Sequence, residues 1–397
     1  MKKLSFALIA LITSSCIAAR ETSSAPSVAP SSASSAPTPT ATSSPTVSAR
    51  LISGVGGLAV VSPDGKWIVA REAPPAAKVP YIPTALLYDL DGKLVRKIEA
   101  PGGNWAWMPD SSGLFVALDA PQRSSLLGIA DIGGGNAKPT GLQMAHATLS
   151  RDGKWIVAEH QEGCCASVTT PEIWIAPRSG GDVKTLVTAK TDPKGLMLLG
   201  IDAADRLVYR DGPEVLRVSL TGGTPQLLGT LAEYKTTLPG NTSPDGTVIL
   251  VRGFEPLRWY VVANDRVTPW PDSAGSIVDD RQGQRTIFGT AALWIGPHTL
   301  LVRAASGELS SFDAPAGLPT ATKAGLGADD LSLAFDRGRL LVAQAKRAVI
   351  IDLATGREGD AGLDFGMESD GARVWRASAL LTGGFILSTV TATYRID

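Results

Sequence analysis

A ten-residue phrase that recurs along the chain is the feature that most limits its fold. It reads VSPDGKWIVA at residues 61–70 and LSRDGKWIVA at residues 149–158. Looser copies are MPDSSGLFVA at residues 108–117 and TSPDGTVILV at residues 242–251. Proline presets a turn, aspartate can bond its own backbone and glycine accepts a positive φ, while the flanks are rich in β-branched and aromatic residues. Each copy therefore predicts a β-hairpin.

A second pattern, an aliphatic strand that ends in a tight turn, gives the spacing of the repeat. The second residue of these turns falls at positions 92, 134, 181, 223, 265, 317 and 356, so successive turns lie 39 to 52 residues apart. This period is typical of the four-stranded blades of β-propellers. The sequence thus predicts an all-β chain, a β-propeller of four-stranded blades. Eight blades are favoured, and seven are the alternative.

The end of the chain suggests how such a ring closes. Residues 371–375, 385–390 and 391–396 predict three further strands without a fourth. Residues 49–53 are predicted to add the missing outer strand from the N-terminal side, which leaves no open seam. The propeller domain is accordingly predicted to span residues 49–397. The repeat is weakest around residues 281–301, within its longest interval.

The repeated phrase resembles the PD40, or WD40-like, repeats of TolB-type β-propellers, whose blades carry S-P-D-G-K at the first hairpin. The resemblance covers roughly residues 50–397, with clear motifs in four blades. It implies a protein-interaction module of the bacterial periplasm. A G-x-S-x-G motif, which would indicate the hydrolase domain that accompanies some peptidase propellers, does not occur in the sequence.

The first residues predict a secretory signal that ends in a cysteine. Lys2 and Lys3 precede a nine-residue apolar run, which is too short to span a bilayer but fits a signal peptide. Thr13-Ser14-Ser15-Cys16 then resembles the lipobox of bacterial lipoproteins, in which the cysteine is lipidated, although Thr13 replaces the usual large aliphatic residue. Residues 1–19 are predicted as the signal peptide, with Cys16 as the lipidation site. An ordinary signal peptide cut near residues 18–19 is the alternative.

Residues 20–48 consist almost entirely of serine, alanine, proline and threonine. This composition predicts a disordered linker, because so little apolar surface cannot offset the ordering entropy. Signal and linker together predict a lipid-anchored protein of the bacterial cell envelope, at the outer membrane or on the periplasmic face. A secreted or periplasmic soluble protein is the alternative.

Composition limits the other functional classes. The chain has 37 Lys+Arg against 38 Asp+Glu, so its balanced charge gives no electrostatic reason to expect a nucleic-acid partner. Three histidines and three cysteines are too few soft ligands for a multi-metal or haem protein. No P-loop, H-E-x-x-H or EF-hand motif occurs. We therefore expect no cofactor, no metal and no identifiable catalytic residue.

A few residues remain as candidates for special roles. Cys164 and Cys165 are predicted to form a vicinal disulfide, the alternatives being free thiols or bonds to another chain. The carboxylate pairs at residues 279–280 and 329–330 could line a channel and act on a substrate with Ca²⁺, or could be solvated turn residues. Trp105 and Trp107 alternate on one strand, where they could stack on a ligand or pack in the core.

The polar residues of the repeated phrase are expected to build turns rather than perform chemistry. These are Asp64, Gly65, Asp110, Asp152, Gly153, Asp245 and Gly246. The function predicted from the sequence is an envelope propeller that binds a protein or a small ligand and reaches the membrane through its lipid. A propeller hydrolase, lactonase or glycan-cleaving enzyme that uses channel carboxylates is the alternative, and a structural envelope component is a third.

Overall fold

The computed structural model describes residues 47–52, 54–55, 59–72, 83–101, 105–119, 126–143, 146–160, 171–190, 195–231, 237–254, 257–278, 292–304, 306–325, 330–344, 347–363, 374–380, 382–389 and 392–397. Contacts divide the chain into units of residues 1–43 and 44–397, and every described residue belongs to the second. In the described part, no helix has both the length and the apolar character to cross a membrane.

The described residues form 32 strands and one short 3-10 helix, Asp272–Ala274. In chain order the first strands are β1 (Ala49–Leu51), β2 (Val60–Val61), β3 (Trp67–Arg71), β4 (Thr84–Asp89), β5 (Leu94–Glu99), β6 (Trp105–Trp107), β7 (Gly113–Ala117), β8 (Leu126–Asp131), β9 (Lys138–Gln143), β10 (Ala147–Leu149), β11 (Trp155–His160), β12 (Glu172–Pro177), β13 (Lys184–Thr188), β14 (Met197–Ile201), β15 (Arg206–Asp211), β16 (Glu214–Ser219) and β17 (Gln226–Thr230).

The remaining strands continue the same pattern. They are β18 (Thr237–Thr242), β19 (Ile249–Phe254), β20 (Leu257–Ala263), β21 (Arg266–Pro269), β22 (Ser276–Ile277), β23 (Thr299–Arg303), β24 (Glu308–Asp313), β25 (Leu318–Gly325), β26 (Asp330–Asp336), β27 (Arg339–Gln344), β28 (Ala348–Asp352), β29 (Glu358–Asp360), β30 (Val374–Ala379), β31 (Phe385–Thr389) and β32 (Thr393–Ile396).

These strands form eight antiparallel sheets of four strands each, arranged in a ring, so the protein is an eight-bladed β-propeller. Blades 1 to 7 take consecutive strands, from β2–β5 in blade 1 to β26–β29 in blade 7, and blade 8 combines β30–β32 with β1. The predicted fold class and the favoured count of eight blades are confirmed. Seven blades, the alternative, are excluded.

The N-terminal strand closes the ring as the sequence predicts. Strand β1 pairs with β32 in the register Ala49 with Ile396 and Leu51 with Tyr394. The ladder extends at both ends: the Ser48 and Asp397 amides each donate to the other's carbonyl, and the Ile52 amide donates to the Thr393 carbonyl at 2.9 Å. The outermost strand of the last blade is thus the first strand of the domain.

Apolar side chains of successive strand residues point to opposite faces of each sheet, so each blade packs on both of its neighbours. Eight buried clusters fill the eight blade interfaces, from the cluster between blades 1 and 2 around Val69 and Val116 to the one between blades 8 and 1 around Ile68 and Ile386. Because successive residues of a strand point to opposite faces of its sheet, one strand serves two interfaces. Each blade therefore depends on the next to bury its apolar faces.

The long interval in the sequence repeat has a local cause. In blade 6 the first strand ends at Ile277 and the second begins at Thr299, so one connection accounts for the extra length. All seven tight turns used to count the repeat lie between the third and fourth strands of a blade. The four copies of the repeated phrase lie between first and second strands.

Candidate functional site

The turns between first and second strands share one face of the ring with those between third and fourth strands. We call this face the turn face. In blade 1, the buried Ser62 Oγ donates to Asp64 Oδ1 at 2.6 Å and accepts from the Trp67 amide at 3.0 Å. Gly65 follows with a φ of 67°, in the left-handed region that glycine adopts without strain. Serine, aspartate and glycine therefore build this turn together.

The other copies of the phrase repeat this arrangement with small changes. The Ser150 and Ser243 hydroxyls donate to Asp152 and Asp245, each at 2.6 Å. Hydrogen bonds from Lys154 and then from Ser150 lower the pKa of Asp152 to about 2. In blade 2 Ser112 Oγ donates to Asp110 at 2.5 Å. These carboxylates already accept hydrogen bonds from their own turns. The role of the serines was not predicted, although serine precedes the aspartate in three of the four copies.

Contacts across the turn face also connect neighbouring blades. The Asp64 amide donates to Ser111 Oγ of blade 2 at 2.8 Å. The Arg178 guanidinium of blade 3 donates to Asp110 of blade 2 at 2.7 Å. The Arg151 side chain reaches past blade 4 and donates to the Pro244 carbonyl of blade 5 at 3.1 Å. These contacts link blade 1 to blade 2, blade 2 to blade 3 and blade 3 to blade 5 across the turn face.

A histidine occupies the boundary between blades 5 and 6. His298 Nδ1 lies 2.8 Å from Asp245 Oδ2, and its Nε2 lies 3.8 Å from Asp313 Oδ1. The hydrogen bond with Asp245 raises the pKa of His298 above its ordinary value. Burial alone would raise the pKa of Asp245, but hydrogen bonds from Ser243 and His298 hold it well below its usual range. The imidazole thus links the two blades through Asp245, and the link is strongest when the ring is protonated.

This link predicts a pH-dependent contribution to stability. His298→Gln is expected to lower the melting temperature at about pH 5 and to have a smaller effect at about pH 8.5. A histidine whose folded pKa is raised stabilises fully below its unfolded pKa of about 6.5, and that stabilisation is lost as the pH rises through the folded pKa. Asp245 stays ionised across this window. Melting temperatures of both proteins over the pH series give the measurement, and a pH-independent difference between them would contradict the link.

Blade 4 departs from the repeat at the boundary with blade 5. In the second strand of each blade, one residue faces the next blade, and a residue of the third strand pairs with it. At this third-strand position five blades carry leucine, isoleucine or valine, blade 6 carries a serine, and blades 4 and 8 carry an arginine. In blade order these residues are Leu87, Ile129, Ile175, Arg217, Val261, Ser311, Ile350 and Arg395. Arg217 is only 7 % exposed. A buried guanidinium thus replaces the aliphatic side chain that the interface usually has.

A second departure lies beside the first. Asp202 begins the first turn of blade 4, where three of the phrase copies have serine, and it is also buried. Its Oδ1 accepts from the turn amides of Ala204 and Arg206 at 2.9 and 3.0 Å. Its Oδ2 accepts from the Arg206 guanidinium at 2.8 Å and lies 3.5 Å from Arg217 Nη1. Both departures therefore belong to one network.

The two residues line a cleft between blades 4 and 5 that opens on the turn face. The cleft has a volume of about 330 Å³. Its apolar wall consists of Val208, Leu228, Ile249 and Val262, and its polar side consists of Asp202, Arg206, Arg217, Asn264 and Asp265. Sites for small molecules combine an apolar lining with a few convergent polar groups in this way. We call it the 4/5 cleft.

The network around Arg217 crosses the blade boundary. Arg217 Nη1 donates to Asp265 Oδ1 of blade 5 at 2.6 Å, and Nη2 donates to Gln226 Oε1 of blade 4 at 2.7 Å. The hydrogen bond and charge of Arg217 lower the pKa of the exposed Asp265 carboxyl. The cleft thus holds two guanidinium groups and two carboxylates over an apolar floor. Such a set can orient a charged or strongly polar group.

The two tryptophans singled out in the sequence and two of the histidines lie elsewhere. Trp105 and Trp107 are half-buried and pack against the core between blades 1 and 2, and Trp107 Nε1 donates to the Val60 carbonyl at 3.1 Å. His146 Nδ1 lies 2.7 Å from Glu159 Oε2; burial opposes the charged imidazole, but this hydrogen bond raises the pKa of His146 above its ordinary value. The His160 ring stacks on Trp174 with centroids 3.3 Å apart. None of these residues lines the 4/5 cleft.

Several predictions concern residues outside the described part of the chain. These are lipidation of Cys16, the bond between Cys164 and Cys165, and roles for Asp279, Asp280 and Asp329. They remain predictions, as does the enzyme alternative that depends on channel carboxylates. Among the described residues, no group of three or more histidine, cysteine, aspartate or glutamate side chains could hold a metal ion.

The similarities of this chain to known proteins are to solved structures. No protein-family model matches the chain, and no curated protein matches it. A solved prolyl endopeptidase is similar at 14% identity and a TM-score of 0.40 over 86% of this chain, which spans only 46% of that protein. An oligogalacturonate lyase in complex with manganese is similar at 9% identity and a TM-score of 0.45, covering 88% of this chain and 90% of that one. The β-propeller domain of Swd1 from Myceliophteria thermophila is similar at 11% identity and a TM-score of 0.45, covering 75% of this chain and 96% of that one.

Proposed function

We propose that this chain is a lipid-anchored propeller of the bacterial cell envelope, of the TolB-like type, that binds a protein or a small ligand through its turn face. Cys16 carries the lipid, and residues 20–48 hold the propeller away from the bilayer. The observation that carries the binding role is the 4/5 cleft, where Asp202 and Arg217 both depart from the repeat.

The energetics of the interface support a binding role. Replacing a buried ion pair by well-packed apolar residues is often neutral or stabilising, so a buried guanidinium is weak evidence for a stabilising role. Five blades show that the fold accommodates an aliphatic residue at the position of Arg217. Departures from local rules in natural proteins concentrate at functional sites. Arg217 is therefore better explained by binding than by folding.

The anchor is tested by substitution of the proposed lipidated residue. Cys16→Ser is expected to move the protein from the membrane fraction to the soluble fraction, because stable anchoring requires the acyl chains. The measurement is the distribution of the protein between the two fractions after cell lysis. Cys164→Ser is the matched control and should stay with the membranes. Membrane retention of the Cys16→Ser variant would refute the anchor.

The binding role is tested by crosslinking in native envelopes. The wild-type protein should crosslink to a distinct envelope component, and Arg217→Leu should abolish that product. Arg395→Leu is the matched control, since Arg395 occupies the equivalent position of blade 8, outside the cleft. Mass spectrometry identifies the products. The same product in the Arg217→Leu variant would show that the partner does not bind through this cleft, and no product from any variant would refute binding of a protein partner.

A further inference from the structure

We propose that the 4/5 cleft binds the carboxylate of a small ligand that also carries an apolar group, with Arg217 as the anchoring cation and Asp265 as the internal carboxylate that the ligand replaces. The inference rests on the proposed binding function and names the chemical class of the ligand.

Arg217 has a fixed neighbour and an exchangeable one. Asp202 is committed to its own turn, because it accepts two backbone amides and the Arg206 guanidinium. Its oxygen is also farther from Arg217 Nη1, at 3.5 Å, than the Asp265 oxygen at 2.6 Å. The close charged partner of Arg217 is therefore Asp265. A guanidinium prefers a carboxylate partner in its plane, which is the geometry a ligand carboxylate can supply.

Asp265 is suited to being displaced. Its side chain is 63% exposed, whereas that of Arg217 is 8% exposed. It lies with Asn264 in a two-residue turn between β20 and β21, where both residues have positive φ values, 51° and 59°. The ligand carboxylate takes the place of Asp265 beside Arg217, so the buried guanidinium keeps a charged partner in the bound state. The Asp265 carboxylate is already largely exposed and is hydrated when it turns into solvent.

The walls of the cleft specify the rest of the ligand. Val208, Leu228, Ile249 and Val262 are each less than 9 % exposed and form a continuous apolar lining. The volume of about 330 Å³ is at the lower end of the range for small-molecule sites. Among the described lining residues there is no aromatic ring on which a sugar could stack. The lining favours a small aliphatic group, and a leucine side chain serves as the probe for it.

Charge favours an anion over a cation. While Asp265 is paired with Arg217, the positive charges of the two arginines, Arg206 and Arg217, balance the negative charges of two aspartates. The cleft is then neutral. When Asp265 turns to solvent, the guanidiniums of Arg206 and Arg217 outnumber the single carboxylate of Asp202. One carboxylate on the ligand restores the balance, which a neutral or cationic ligand cannot do. The preferred ligand is thus a monoanion with an apolar group.

N-acetyl-leucine is the probe, and its binding to the full chain can be measured by titration calorimetry and by NMR of the arginine side chains. N-acetyl-leucinamide has the same apolar group without the charge and should bind about tenfold more weakly or worse, and acetate should bind weakly for lack of the apolar group. Asp265→Asn should strengthen binding several-fold, because a neutral amide competes less well for Arg217. Arg217→Leu should abolish binding, and Arg395→Leu should bind as the wild type does.

The same experiment distinguishes two sources of the carboxylate. Acetyl-Ala-Ala-Leu with a free C-terminus should bind more tightly than N-acetyl-leucine if the natural ligand is the end of a peptide, and equally or less tightly if it is a small free acid. Melting curves check that Arg217→Leu is folded, which is expected because this residue restores the aliphatic character of the other blades. Lack of binding in both the wild type and Asp265→Asn, or equal binding of acid and amide, would overturn the inference. An envelope component that still crosslinks through Arg217 would then leave the proposed function standing.

Discussion

Arg50→Pro is expected to lower the free energy of unfolding by about 2 kcal/mol or more, because it breaks the ladder that closes the ring. The Ser48 amide donates to the Asp397 carbonyl, and the Ile52 amide donates to the Thr393 carbonyl. The backbone amides of even-numbered residues in this segment therefore point toward the partner strand. Arg50 lies between them and pairs with Arg395. Proline removes this donor, and frayed pairing exposes the buried Ile52 and Ile396. Denaturant unfolding gives the free energy.

Leu51→Pro is the matched control for this prediction. The Leu51 amide points away from β32, and its side chain is 57% exposed, so proline is tolerated there as on other edge positions. Arg50→Ala should also have a small effect, since its bond to Asp91 joins two exposed side chains. Equal destabilisation by Arg50→Pro and Leu51→Pro would show that ladder hydrogen bonds of β1 do not hold the ring closed.

Asp336→Ala is expected to destabilise the protein by about 2 kcal/mol, because it leaves buried donors without an acceptor at the boundary between blades 7 and 8. Asp336 is 7 % exposed. Its Oδ2 accepts from Arg339 at 2.9 Å and from the Gly384 amide of blade 8 at 3.1 Å. Arg339 is partly exposed, so the loss at its end is smaller than for a fully buried pair.

Asp336→Asn separates the two parts of this effect. The amide oxygen of asparagine can still accept from the Gly384 amide, whereas the charge that pairs with Arg339 is gone. We expect a destabilisation intermediate between those of the wild type and Asp336→Ala, measured by denaturant unfolding under the same conditions. A wild-type free energy of unfolding for Asp336→Ala would contradict the role of this carboxylate in joining the two blades.

The fold could be predicted because its information is repeated along the chain. The turn residues of the phrase at residues 61–70 and its copies mark one hairpin, and the tight turns mark another, so an error in one blade is corrected by the others. The outer strand β1 could be predicted because three terminal strands need a fourth. Blade 6 was the hardest blade to predict, because the long connection between Ile277 and Thr299 interrupts the regular spacing of the repeat.

The candidate site could not be predicted in the same way. Arg217 and Asp202 belong to no motif, and in a linear sequence they are ordinary charged residues on or beside strands. Their significance appears only when the blades are superimposed by register, which places Arg217 at a position where five blades have aliphatic residues. Arg217 and Asp265 are 48 residues apart in the sequence, and the packing of blade 4 against blade 5 brings them together. The signal was present in the repeat, but reading it required the strand pairing.

Closure of the eight-bladed ring by β1 is tested most directly in a double variant that combines Leu51→Cys with Tyr394→Cys. Its two introduced cysteines should form a disulfide. These residues pair directly, between the hydrogen-bonded positions of the ladder, where Cα atoms lie about 4.5 Å apart and a disulfide fits. We expect mild oxidation to link the two cysteines quantitatively, whereas Leu51→Cys with Ile396→Cys, a diagonal pair, stays unlinked. Mass spectrometry of the digested protein identifies the bond. Absence of the first crosslink, or equal formation of both, would contradict the closed ring.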